Sequence, residues 1–90
     1  MKGKAVILAK ARIEVAQVLD CYGLVCPMPV RKTAQAMDQL QPGQILQVIA
    51  TDEWFGPDLQ AWLRYHPHEL LTLQQIGSEY HARLRKVSST

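Results

Sequence analysis

Ninety residues, 48% of them apolar and 20% charged, make one compact domain and not two. This composition excludes a disordered or fibrous chain, and two cysteines exclude a disulfide-stapled scaffold. The net charge is +2, but four of the ten bases lie in the first twelve residues without an acid, so the remaining six face all eight acids and the body of the chain lacks the charge of a nucleic-acid binder.

In chain order, residues 1–12 read as a basic-apolar extension carrying Lys2, Lys4, Lys10 and Arg12. Its apolar run over 5–9 is shorter than the roughly 7–15 residues of a secretory h-region, and no stretch reaches the ~18 of a membrane span. The expectation is a cytoplasmic protein with reduced cysteines and no membrane partner. Residues 13–87 are expected to form the domain and 88–90 a frayed tail. The run IEVAQVLD over 13–20 predicts a strand, and CYGLVC over 21–26 a loop that turns at Gly23.

A helix follows, with Pro27 suited to its first position, where a missing N–H has no partner to lose. Val30, Ala34 and Met37, with Thr33 and Leu40 beside them, give it an apolar stripe. Gln41-Pro42-Gly43 ends the helix, and ILQVIAT over 45–51 predicts a central strand. Gly56-Pro57-Asp58 opens a second helix whose core side is Leu59, Trp62 and Leu63, and Pro67 stops it. Residues 70–76 and 80–86 predict a hairpin across Gly77-Ser78. In its second strand Tyr80, Ala82 and Leu84 alternate with a basic stripe of His81, Arg83 and Arg85.

The order βαβαββ predicts an α/β, two-layer fold: a mixed four-stranded sheet with both helices on one face. The other face is then uncovered. Ile45 and Ile49 share the parity of Gln47 and Thr51 and are expected there, under the extension or a second subunit.

The chemistry concentrates at Cys26-Pro27-Met28-Pro29. A cysteine just before a helix faces unpaired backbone N–H groups and the positive end of the helix dipole, which favour the thiolate. The two prolines stiffen that first turn. A thiolate so placed is a nucleophile without a dedicated base. The alternative is a small buried side chain that closes the helix end, and spacing alone leaves both open.

Leu19-Asp20, Gly23-Leu24 and Cys26-Pro27-Met28-Pro29-Val30, followed by Gln41-Pro42-Gly43 and ILQVIATD, resemble the signature of the TusA/SirA-like sulfur-carrier family. The resemblance runs from Val18 to Lys86. It implies that Cys26 takes a persulfide sulfur from a cysteine desulfurase or rhodanese-type donor. The sulfur then passes to an acceptor protein, as in tRNA thiolation, molybdenum-cofactor synthesis or sulfur oxidation. It implies a relay protein rather than a turnover enzyme, shaped by Gly23, Pro27 and Pro29 around Cys26, and such a relay needs no cofactor and no metal.

Four further features are weighed beside it. Cys21 reads as a strand-end core residue, with a resolving thiol as the alternative. His66 and His68 flank Pro67 in a loop; two histidines without a third ligand do not make a metal site, and a Cys–His pair stays open. The His81, Arg83, Arg85 stripe offers the rival reading, a small RNA-binding or regulatory module on the open face, though it lacks the aromatics that stack bases. Trp54 and Phe55 follow the second strand and are expected on the same rim as Cys26. There they would be a partner contact or, tucked under the second helix, part of the core.

Overall fold

The structure is a computed structural model and describes residues 15–87; the extension and the tail lie outside the described residues. Six elements follow in the expected order: β1 (Val15–Cys21), α1 (Met28–Gln39), β2 (Ile45–Ala50), α2 (Phe55–Tyr65), β3 (Glu69–Ile76) and β4 (Glu79–Arg85). They build one mixed sheet of order β1-β2-β4-β3. β1 runs parallel to β2, and β4 is antiparallel to both of its neighbours, β2 and β3.

The register shows why two helices cover one face only. Leu46, Val48 and Ala50 pair with Leu84, Ala82 and Tyr80 on β4, and Val48 and Ala50 with Leu19 and Cys21 on β1. All five of the buried β2 and β4 side chains in these pairs join Ala36 and Met37 of α1 and Phe55 and Leu59 of α2 in a single core cluster. Leu46, Val48, Ala50, Ala82 and Leu84 are fully buried, so β2 is central as its apolar run predicts.

The opposite parity carries Gln47, Ile49, Thr72, Gln74, His81 and Arg83. Ile49 is half-buried there. Ile45 shares that parity but is only 5% exposed, set between its cross-strand partners Val15 and Arg85, whose aliphatic stem can cover it. Two members of the basic stripe face carboxylates and the third a neutral amide. His81 meets Glu79 at 2.9 Å, Arg85 meets Glu69 at 3.4 Å, and Arg83 donates to Gln47 Oε1 at 3.2 Å. Among the described residues Arg83 is the member of the stripe without a carboxylate partner, a single charge rather than a run.

Both helices depart from the predicted detail. α1 begins at Met28, with Pro27 as its cap and Pro29 in its first turn, one residue later than expected. Its buried line is Pro29, Thr33, Ala36 and Met37, with Val30, Ala34 and Leu40 at the margins. The stripe rotates toward Thr33 because that hydroxyl donates to Pro29 O at 2.8 Å, so its polarity is satisfied without water. α2 begins at Phe55, before the predicted opening at Gly56. Pro57 is then its third residue, still among the positions whose N–H has no partner within the helix.

Phe55 and Gly56 explain the early start. Phe55 is fully buried, its ring 6.0 Å from that of Tyr80. A Cβ on Gly56 would lie 2.8 Å from Tyr80 Cε1, so glycine is what lets the helix end close on that ring. Phe55 is therefore core and not the surface contact that sequence allowed. Phe55→Ala should cost about 3–5 kcal/mol, a large share of the roughly 5–15 available to such a domain. Trp54→Ala should cost no more than about 1 kcal/mol. Denaturant unfolding of the two variants measures the contrast, and similar losses would contradict this placement.

Candidate functional site

Parallel pairing puts the loop after β1 and the loop after β2 at one end of the sheet. A hydrogen bond joins them: Gly23 N–H donates to Thr51 Oγ1 at 2.9 Å. Gly23 makes that approach from a left-handed backbone, φ +76°, which few side chains tolerate. Tyr22 N–H donates to Asp20 Oδ1 at 3.0 Å and Leu24 N–H to Cys21 O at 3.2 Å, so the chain turns at once on leaving β1.

This turn separates the two cysteines. Cys21, the last residue of β1, points into the core and is fully buried, and burial pushes its thiol up from the ordinary value. Cys26 is exposed beside the cap of α1, and both sulfurs are free. Cys21 fits the core reading, and its buried sulfur has no open path to serve as a resolving thiol.

The electrostatics of Cys26 run against the expectation of a depressed thiol. Its pKa is raised, first by the Asp58 carboxylate near the thiol, then by desolvation, then by the negative charges of Asp58 and Asp52. The helix end cannot offset this, because most of its N–H groups are spent. Pro29 has none, Met28 N–H donates to Val25 O at 2.8 Å, and Arg31 N–H donates to Pro27 O at 3.1 Å. The two prolines that shape the turn thus also strip it of donors.

Asp58 is the site residue that sequence reading passed over. The sequence places it only at the opening of a helix, in Gly56-Pro57-Asp58. The signal was its place in the first turn of the helix that starts on the Cys26 rim. Asp52 sits on the same loop as Trp54 and holds its turn, accepting from Trp54 N–H at 3.3 Å through Oδ2. Trp54 caps α2 and is 58% exposed. Of the two expected aromatics, it alone is on the surface.

The histidines are elsewhere. His66 stacks on Trp62 with centroids 4.9 Å apart, His68 lies 5.8 Å from the same ring, and His81 faces Glu79. None acts on Cys26, so no Cys–His pair forms. No group of three or more His, Cys, Asp or Glu side chains among the described residues is arranged to hold a metal ion.

An exposed cysteine at the head of the first helix, on a two-helix, four-stranded open sheet, defines a class of small α/β proteins. The chain matches that class in sequence and in fold. Residues 17–86 match the family model described as Sulfurtransferase TusA. The YrkI protein of Bacillus subtilis is 51% identical over 61 residues, covering 68% of this chain and 81% of YrkI. The sulfur carrier protein TusA of Allochromatium vinosum is 33% identical over 70 residues, covering 78% of this chain and 92% of that protein. The crystal structure of a SirA-like protein from Desulfitobacterium hafniense superposes with a TM-score of 0.68 at 19% identity, over 80% of this chain and 99% of that one. The chain belongs to the TusA family.

The charge balance at Cys26 makes a prediction. Asp58→Asn removes the charge that disfavours the thiolate, so the thiol should titrate at lower pH than in the native protein, read by thiolate ultraviolet absorbance. Pro27→Gly should move the midpoint less, since the acids outweigh the helix end. A midpoint that stays or rises in Asp58→Asn would remove Asp58 from control of the sulfur.

Proposed function

We propose that this protein is a sulfur carrier that holds transferable sulfur as a persulfide on Cys26. The observation that carries the reading is the contrast between the two cysteines of a TusA-family domain: one exposed at a helix start, one sealed in the core. The protein relays sulfur between partners and is not a stand-alone turnover enzyme.

The relay is two displacements at sulfur. The Cys26 thiolate attacks the outer sulfur of a donor persulfide; a new S–S bond forms at Cys26 and the donor leaves as its thiolate. An acceptor nucleophile then takes that outer sulfur, and Cys26 departs as a thiolate. Bonds and electrons balance without an external oxidant or reductant.

Asp58 suits both halves. Its negative charge favours the protonated thiol between transfers. A thiol kept protonated between turns resists oxidation, and a high-pKa thiolate, once formed, is the stronger nucleophile. Loading should therefore quicken as pH rises toward the raised thiol pKa.

The donor in this reading is a cysteine desulfurase or a rhodanese-type protein. The acceptor belongs to a route such as tRNA thiolation, molybdenum-cofactor synthesis or sulfur oxidation. The compartment is the cytoplasm, where both free thiols stay reduced. No helix among the described residues is long and apolar enough to cross a membrane.

Intact-mass measurement after incubation with a cysteine desulfurase and cysteine tests the proposal. The native protein and Cys21→Ser should gain mass in steps of one sulfur, removed by reductant, and Cys26→Ser should gain none. Loading that survives Cys26→Ser and disappears in Cys21→Ser would overturn the assignment.

A further inference from the structure

The end of the sheet that carries Cys26 is unlike the rest of the surface. Eight large hydrophobic side chains are exposed among the described residues, and five of them stand there. Tyr22, Val25 and Met28 surround the cysteine in sequence, and Trp54 lies on the loop after β2. Ile76 closes β3, which runs parallel to β1 and β2 because each of β2 and β3 is antiparallel to β4. Val25 is 65% exposed and Trp54 58%. Apolar side chains concentrated at one end of a small domain mark a surface that something else covers.

An open cleft of about 440 Å³ borders this patch at Val25. Gly23 and Val25 of the cysteine loop line it, as do Asp52 and Glu53 of the next loop and Gln75 and Tyr80 of the hairpin. Its charges have one sign. Asp52 and Glu53 line it, Asp58 and Asp52 both act on Cys26, and no basic side chain lines it.

We infer that the protein exchanging sulfur with Cys26 docks across this cleft and the rim beside it through a cationic, partly apolar segment, its lysine or arginine side chains meeting Asp52 and Glu53 while Val25 in the cleft and Trp54, next to Glu53 in the chain, pack against its apolar side. The inference rests on the sulfur-carrier reading and adds the chemistry of the partner. The two parts of the surface act differently. Exposed acids speed encounter with a positive segment and turn away a negative one. Trp54 supplies desolvated contact area, the kind of anchor that holds an interface once formed. An anionic loop presenting the same cysteine would meet repulsion at the point where the two sulfurs must come together.

Three short peptides test this, each with one central cysteine in the same apolar setting and flanked by two lysines, two glutamines or two glutamates. Each is supplied as its symmetrical disulfide and mixed with the reduced protein. The Cys26 thiolate attacks one sulfur, forms a mixed disulfide and releases one peptide thiolate, so the reaction needs no oxidant. Rates are read by intact mass. At low salt the lysine peptide should react roughly ten-fold faster than the glutamate peptide, with glutamine between them. That preference should shrink to near parity at ~1 M salt, where screening acts within about 3 Å. The double variant Asp52→Asn with Glu53→Gln should lose most of it; asparagine can still accept from Trp54 N–H, which keeps the loop intact. Trp54→Ala should slow all three peptides and leave their ratios alone. Because every peptide meets the same thiolate fraction, the ratios do not depend on the thiol's acidity. Equal rates at low salt, or a faster glutamate peptide, would overturn the inference. Desulfurase loading of the same samples tests the carrier reading separately: a protein that loads but shows no charge preference loses only the partner chemistry.

Discussion

The parallel register of β1 on β2, with Leu19 opposite Val48 and Cys21 opposite Ala50, is the constraint from which the site follows. Parallel neighbours deliver their C-terminal loops to the same end of a sheet. The cysteine loop and the Thr51–Asp52 loop therefore meet, and Gly23 N–H reaches Thr51 Oγ1 across them. A shift of one residue in that register would turn Leu19 and Cys21 out of the core and break the join. Burial of β2 on both flanks opposes such a shift, since Leu46, Val48 and Ala50 have no other place in the core.

The same constraint sets the division of labour between the cysteines. Five residues apart, they differ because β1 ends between them. Cys21 is the last residue held by the sheet, and the turn at Tyr22–Gly23 carries the chain out to solvent before Cys26. A domain of this size cannot spare core volume for a reactive group. It instead keeps one sulfur as packing and projects the other from a rigid turn. The prolines flanking Met28 serve that projection at a chemical cost: a helix end poor in N–H donors stabilises a thiolate weakly, and the nearby acids then set the sulfur's acidity.

A protonated resting thiol suits a carrier better than a standing thiolate would. A carrier waits between partners, and a permanently ionised exposed sulfur is the one most open to stray oxidation. Control by Asp58 and Asp52 also makes the sulfur responsive to its surroundings, because a positive group brought beside those carboxylates weakens their hold on the proton. In the docking proposed above, arrival of a cationic partner would also ease loss of the thiol proton.

Much of this was legible in the residues. The βαβαββ order, the central place of 45–51, the turn at Gly23 and the candidacy of Cys26 follow from apolar period, turn chemistry and a recognisable Cys-Pro-Met-Pro run, all local properties that neighbouring residues dictate. What lay beyond reach was each question of which group faces which across the chain. Trp54 and Phe55 are adjacent and similar in kind, yet one is on the surface and the other in the core, decided by the close approach of Gly56 to Tyr80, 24 residues on. The buried line of α1 turned toward Thr33 because a hydroxyl can bond back to Pro29 O, which an apolar count does not weigh. Most of all, the acidity of Cys26 was set by Asp58, 32 residues away in the chain. A helix end acts on its own first residues and can be read from sequence, whereas a carboxylate acts through space, and only the folded sheet brings it beside the sulfur.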